Sequence, residues 1–293
     1  MNYHYLPYFV DPVAFVFFGV GATWYTLSYV TGIGITYLLT RYRIHTTESP
    51  IISIADLHEF LFYLILGILL GGRVGYFLLY YPKMFIISPL EIISPFGPWR
   101  GMSQHGGILG VLLSAFLFTR GFGKNFFRFM DFMVPQATQA LFWGRIMGNF
   151  MSGGLPGRPT EMAIGMYFPA SGDFLLRHPS QIYQGIAEGL IPFLFFWAVK
   201  GKIKIRGGIF SLWFILHGSL RFGTEYFREP DSFIGLYLNS FTRGQLFCIC
   251  EIIVGIAIFI ALQLKTKSKW DEPFQNPRET PQVQSIGAIE SLD

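Results

Sequence analysis

Seven apolar stretches, each close to the roughly 20 residues a helix needs to cross a bilayer, recur along the 293 residues of this chain. They lie near 13–39, 57–81, 102–119, 130–152, 181–199, 207–228 and 243–264. In hydrocarbon every backbone N–H and C=O must find its partner within the segment, so such stretches fold as helices. The composition agrees: 52% of residues are hydrophobic and 14% charged, against about a quarter charged in soluble domains. Mean hydropathy is +0.43. The expected fold is all-α, a polytopic integral membrane protein of about seven transmembrane helices. The fourth stretch is the least regular, because Asp131, Pro135, Gln136, Gln139 and Arg145 interrupt it. Polar interruption marks a helix that faces the bundle interior.

Lysine and arginine set the orientation. Arg41 and Arg43, Arg120, Lys124 and Arg128, Lys200, Lys202, Lys204 and Arg206, and Lys265, Lys267 and Lys269 fall in alternate connections and at the last exit. That set reads as cytoplasmic, with the N-terminus outside and the C-terminus inside. Residues 1–264 then form one seven-span domain, residues 153–180 a small extracytoplasmic head, and residues 265–293, polar and holding three prolines, a flexible cytoplasmic tail. The first 12 residues contain no Lys or Arg, so the first stretch reads as a permanent span rather than a cleaved signal. The pI near 9.0 reflects the cytoplasmic loops and does not point to nucleic acid.

Within the sixth stretch, His217, Arg221, Glu225 and Arg228 recur at steps of 4, 4 and 3 and share one helix face. Burying a cation in hydrocarbon costs from about 2.5 to more than 10 kcal/mol, so the stripe implies an interior polar site. Arginines also gather on the side the positive-inside rule disfavours: Arg73, Arg100, Arg145, Arg158, Arg177, Arg221, Arg228 and Arg243. A guanidinium stays charged and contacts phosphate or carboxylate in bidentate fashion, so such a cluster suits an anionic headgroup. The structural alternative is a set of snorkelling or ion-paired residues. Arg73, in GGRVG, suits a structural partner as well as a ligand contact. His105 opens a helix in GMSQHGGILG, either as a proton acceptor or as an interhelical hydrogen-bonding residue. Arg145 and Asn149 stand four apart in GRIMGNF. In RHPSQIY (177–183), Ser180 is positioned to cap the next span. The six histidines show no metal-ligand spacing, and there is no phosphate loop or nucleotide fingerprint. Cys248 and Cys250 lie two apart in the last span and do not face each other.

The order HGG (105–107), GRxxGNF (144–150), GRPT (157–160), RHPSQIY (177–183) and RFxxEYFREPD (221–231) resembles the phosphatidylglycerol:prolipoprotein diacylglyceryl transferase family. The resemblance runs from about residue 13 to 264 and implies a bacterial inner-membrane enzyme without a cofactor. Its partners would be phosphatidylglycerol and a prolipoprotein signal peptide with its lipobox cysteine. That thiol attacks the glycerol carbon, a diacylglyceryl thioether forms and glycerol 1-phosphate leaves. Carried over by motif, the catalytic candidates are His105, Arg145, Arg221 and Glu225. Arg145 and Arg221 would hold the phosphate, His105 would accept a proton or orient, and Glu225 would fix Arg221. Tyr25, Asn149, Arg73, His178 and His217 are the substrate-binding candidates.

Three departures from the family pattern cluster here. One extra residue separates Arg145 from Asn149, turning a helical position by about 100° unless a bulge absorbs it. Gly154 stands where a carboxylate is usual, and His217 where tyrosine is. They open a second reading, a non-catalytic or altered homologue that binds anionic phospholipid or lipoprotein precursor. A transporter is the third; it would call for internal symmetry and charges at mid-membrane on several helices.

Overall fold

The computed structural model describes residues 13–18, 20–48, 50–93, 101–230, 237 and 240–265. The expected tail after Lys265, Arg100 and Asp231 lie outside the described residues. The chain is mainly helical. Three helical segments, Ile54–Tyr80, Ser180–Val199 and Arg243–Leu264, are long and apolar enough to cross a membrane among the described residues. The described residues divide into two compact units, 13–54 with 130–265, and 55–129.

The all-α expectation needs one correction. The first apolar stretch does not begin as a helix: β1 (Val13–Phe17) and β2 (Val20–Thr23) pair antiparallel. The run VAFVF is β-branched and aromatic, which favours extended backbone, and Phe18 reverses the chain at φ 49°. Helix α1 (Trp24–Thr46) starts only where Thr23 caps it, its hydroxyl oxygen accepting from the Thr26 N–H at 3.1 Å. Helix α2 is Ile54–Tyr80, followed by the short α3 (Met84–Ile87) and α4 (Pro89–Ile93). Helix α5 is Gln104–Gly121, and α6 (Phe126–Ala137) and α7 (Gln139–Trp143) follow. The chain then winds as a π-helix over Gly144–Phe150. After the 153–180 segment, α8 (Ser180–Gln184) leads into a second π-helical segment, Gly185–Leu190, and then into α9 (Ile191–Val199). Helix α10 (Gly208–Thr224) ends in a 3-10 turn, Glu225–Phe227, and α11 is Arg243–Lys265.

In the first unit, α1 buries Ser28, Gly32, Thr36, Thr40 and Ile44, a stripe at steps of four. Small residues let backbones approach where lipid supplies no hydrophobic drive. The α7 residue Ala140 comes so near that a Cβ on Gly32 would lie 2.9 Å from its Cβ. Gln139 seals this seam by donating to the Gly32 carbonyl (3.1 Å) and the Thr36 hydroxyl (2.9 Å). Arg43 donates to the Phe132 carbonyl and to Gln136 Oε1 at 2.8 Å. Asp131 accepts from the Gly207 and Phe210 N–H groups and so caps α10. Three of the polar residues that interrupt the fourth stretch therefore have local causes: Asp131, Gln136 and Gln139 bind neighbouring elements, while Pro135 lies within α6.

In the second unit α2 and α5 meet through glycines. A Cβ on Gly71 would lie 2.5 Å from the Gly106 carbonyl oxygen, and one on Gly75 2.6 Å from Gly106 Cα. Ser114 donates to the Tyr63 carbonyl at 2.6 Å. Below them Phe60, Phe118 and Phe129 form an aromatic core.

Candidate active site

The polar stripe of α10 is inside the first unit. His217, Arg221 and Glu225 are all buried, and so is Arg145 on the first π-helical segment. What joins them is a residue the sequence reading did not single out. Glu188, fully buried on the second π-helical segment, bridges the two arginines. Its Oε2 accepts from Arg145 Nε at 3.2 Å and Nη2 at 3.0 Å, and its Oε1 accepts from Arg221 Nη1 at 2.6 Å. Arg221 Nη2 reaches Glu225 Oε2 at 3.2 Å, as the four-residue spacing suggests. Glu225 Oε1 in turn accepts from Arg228 Nη1 at 2.9 Å and the Thr242 hydroxyl at 3.2 Å. Three guanidiniums alternate with two carboxylates, so the chain of pairs carries one net formal positive charge. The signal for Glu188 was present in the sequence as a carboxylate in an otherwise apolar stretch, a functional-site hypothesis by default.

Local structure explains how these side chains meet. The whole of GRIMGNF, Gly144–Phe150, is wound as a π-helix, the kind of bulge that can absorb an inserted residue. Arg145 Nη1 faces Asn149 Oδ1 at 3.5 Å, the limit of a hydrogen bond. At the other end, Thr242 and Gln245 cap α11 reciprocally. Thr242 Oγ1 accepts from the Gln245 N–H (3.1 Å) and Gln245 Oε1 from the Thr242 N–H (3.0 Å). Gly244 lets this helix start lie against Glu225, since a Cβ there would sit 2.7 Å from Glu225 Oε1. A carboxylate at a helix N-terminus is favoured by the orphan N–H groups.

The remaining candidates divide between the units. Tyr25 lies beside Gly148 of the Arg145 segment and shares a 3.0 Å hydroxyl contact with Tyr29. His217 does not reach the arginine chain by a hydrogen bond; its Nδ1 pairs with Glu251 Oε2 of α11 at 2.9 Å. His178 packs edge-on against Phe227 and Tyr183, with Nδ1 3.4 Å from the Tyr183 hydroxyl. It thereby ties the 153–180 segment to the end of α10. Ser180 is not the cap expected of it: Pro179 holds that position and the Ser180 hydroxyl donates to the Leu155 carbonyl at 3.3 Å. Arg73 and His105 belong to the second unit. Arg73 donates to the carbonyls of Glu91, Ile92 and Gly101 at 3.0–3.2 Å, so its structural alternative has direct support. His105 is the second residue of α5, just after the Ser103 cap, whose oxygen accepts from the Gly106 N–H at 3.2 Å.

The 153–180 segment is held by Arg177, which contacts Asp173 (2.6 Å), Glu229 (3.1 Å) and the Gly157 carbonyl (3.0 Å). The Arg177 hydrogen bonds hold the Asp173 carboxyl below its usual range, and the same bonds raise the guanidinium above its own. Among the described residues no group of three metal-ligating side chains occurs.

A buried, alternating arginine–carboxylate chain with a single excess positive charge is suited to hold a monoanion such as a phosphodiester. Comparison with known proteins gives that chemistry a family. The family model described as prolipoprotein diacylglyceryl transferase matches residues 12–261. A phosphatidylglycerol–prolipoprotein diacylglyceryl transferase from Bordetella avium (strain 197N) is 39% identical over 251 residues, 85% of this chain and 94% of the relative. Relatives of the same name from Dechloromonas aromatica (strain RCB) and Chlorobaculum tepidum are 41% and 36% identical over 255 and 267 residues. They are covered over 94% and 92% of their lengths, by 85% and 88% of this chain. With its motifs, its buried arginines and this match along most of its length, the chain belongs to the prolipoprotein diacylglyceryl transferase family.

Proposed function

We propose that this protein transfers the diacylglyceryl group of phosphatidylglycerol to the lipobox cysteine of a prolipoprotein. The sulfur attacks the glycerol carbon, a C–S bond forms as the C–O bond breaks, and the electron pair leaves on the phosphate oxygen of glycerol 1-phosphate. The observation that carries this reading is the buried Arg145–Glu188–Arg221–Glu225–Arg228 chain with its one excess charge. Fixed guanidiniums aimed at a leaving phosphate stabilise charge as it develops, without the reorganisation water would need. Arg145 and Arg221 hold the phosphate, and Glu188 and Glu225 set the planes of their guanidiniums. Asn149 and Tyr25 flank the headgroup, and His178 secures the head segment above it. By its motif His105 takes an orienting role, and Arg73 holds the backbone that follows α4 within the second unit.

The same reading sets the protein in the bacterial cytoplasmic membrane with seven spans, residues 153–180 as an extracytoplasmic head, the N-terminus outside and the C-terminus inside. The lysine asymmetry and the apolar stretches support it. Purified protein incubated with phosphatidylglycerol and a lipobox peptide is expected to yield the thioether, seen by mass spectrometry as a diacylglyceryl mass increment on cysteine. No increment from folded protein overturns the reading. Cysteine labelling of intact cells tests the topology, and labelling of residues 200–206 from outside sinks it.

A further inference from the structure

His217 is fully buried on α10, one helical turn before Arg221 and on the same face. Glu251, on α11, meets its Nδ1 at 2.9 Å. An ionised carboxylate only accepts, so Nδ1 carries the hydrogen and Nε2 of the neutral ring is a bare acceptor. Trp213, four residues earlier, stacks on the ring at 4.9 Å with 14° between planes, which fixes its orientation. The buried Nε2 has no hydrogen-bond partner, and neither has the buried Nε of Arg221 on the next turn. Buried polar atoms are ordinarily satisfied; these two lie on adjacent turns of one helix face, where a ligand between them would satisfy both. Among the described residues, the charged groups facing the ring are Glu251 of α11, which is bonded to it, Arg221 one turn on along its own helix, and Glu188 of the second π-helical segment, bonded to Arg221; Cys248 lies one turn before Glu251 on α11.

Resting on the transferase reading, we infer that the Glu251–His217 pair is the proton acceptor for the attacking thiol. The S–H bond breaks, its proton goes to His217 Nε2 directly or through one water, and the sulfur electron pair forms the C–S bond. The C–O electron pair leaves with the phosphate. Glu251 is the positioning residue: it holds the tautomer that leaves Nε2 bare and neutralises the imidazolium that forms. Protonation thus turns a singly negative buried pair into a neutral one.

The test is the pH profile of kcat/KM for thioether formation in detergent-solubilised wild type, His217→Gln and Glu251→Gln, with thermal unfolding as the check of folding. Wild type is expected to gain activity as pH rises through the histidine range, because the neutral ring is the base. His217→Gln loses that limb and about 100-fold or more in kcat/KM. Glu251→Gln keeps the limb but moves it about one pH unit or more lower, since the imidazolium has lost its counter-charge. A purely structural pair would lower thermal stability without moving the limb. An unmoved limb in Glu251→Gln overturns the inference, even if His217→Gln does not fold. Absence of product from wild type overturns the transferase reading instead, so the two failures are distinct.

Discussion

Glu188→Gln is the sharpest perturbation of the centre. The carboxylate accepts three hydrogen bonds from two buried guanidiniums. Glutamine keeps the length, but its NH2 must face one of them, donor against donor. The formal charge of the chain rises from one to two, and Arg145 and Arg221 repel each other without an intervening anion. Breaking a buried pair from one side costs about 3–5 kcal/mol. Against a total stability of about 5–15 kcal/mol, that is a large fraction. At about 2–4 °C per kcal/mol for a chain of this size class, the midpoint should fall by roughly 6–20 °C. Tryptophan fluorescence during heating in detergent measures it. The same assay with added glycerol phosphate is diagnostic, because an anion bound beside the guanidiniums supplies the negative charge that the substitution removes. The variant should regain more of its lost stability than wild type gains. An unchanged midpoint, or a loss that the anion does not relieve, would refute the claim that Glu188 is the charge bridge of an anion site.

Arg221→Lys keeps the charge but cannot span Glu188 and Glu225 with two nitrogens of one plane, so kcat should fall about 100-fold or more at matched protein level. Gly110→Ala should destabilise the α2–α5 contact by about 1–3 kcal/mol or more, because the new methyl meets the Gly67 carbonyl oxygen. Gly107→Ala on the same helix, with nothing within 4 Å of its Cβ, should instead gain roughly 0.5–1 kcal/mol; thermal unfolding reads both signs. In the head segment, the depressed Asp173 carboxyl stabilises the fold above its unfolded pKa, and the contribution disappears as pH falls through the folded one. Resistance of residues 153–180 to pepsin should therefore fall in that acid window, and Asp173→Asn should be cleaved readily even above it.

Much of the fold was legible because lipid leaves the backbone so few options. Hydrophobic length marked the three segments long and apolar enough to cross a membrane among the described residues, and the spacing of Arg221 and Glu225 foretold their pairing. What escaped the sequence had specific causes. The hairpin before α1 is apolar throughout, so hydropathy merges it with the helix; only the β-branched run and the glycines hinted at a break. Ser180 offered capping chemistry but its hydroxyl is taken by a distant carbonyl, a choice made by tertiary structure. Glu188 and Glu251 looked like isolated carboxylates because their partners are more than 30 residues away in sequence.

The two π-helical segments connect these observations. Arg145 lies on one and Glu188 on the other, so both partners of the first ion pair are delivered by widened turns. A π-helical turn costs hydrogen-bond geometry and persists where surrounding contacts over-determine it. Here those contacts are an ion pair that would otherwise leave two charges buried alone. On this argument the extra residue in GRIMGNF is not a defect in the family pattern. It is accommodated by a winding that keeps Arg145 facing both Asn149 and Glu188, while removing the carboxylate would remove the reason for the second segment to stay wound. Deleting Ile146 should then displace Arg145 from Glu188 and lower stability as Glu188→Gln does, whereas a π-helix that is incidental would let the deletion pass with activity intact.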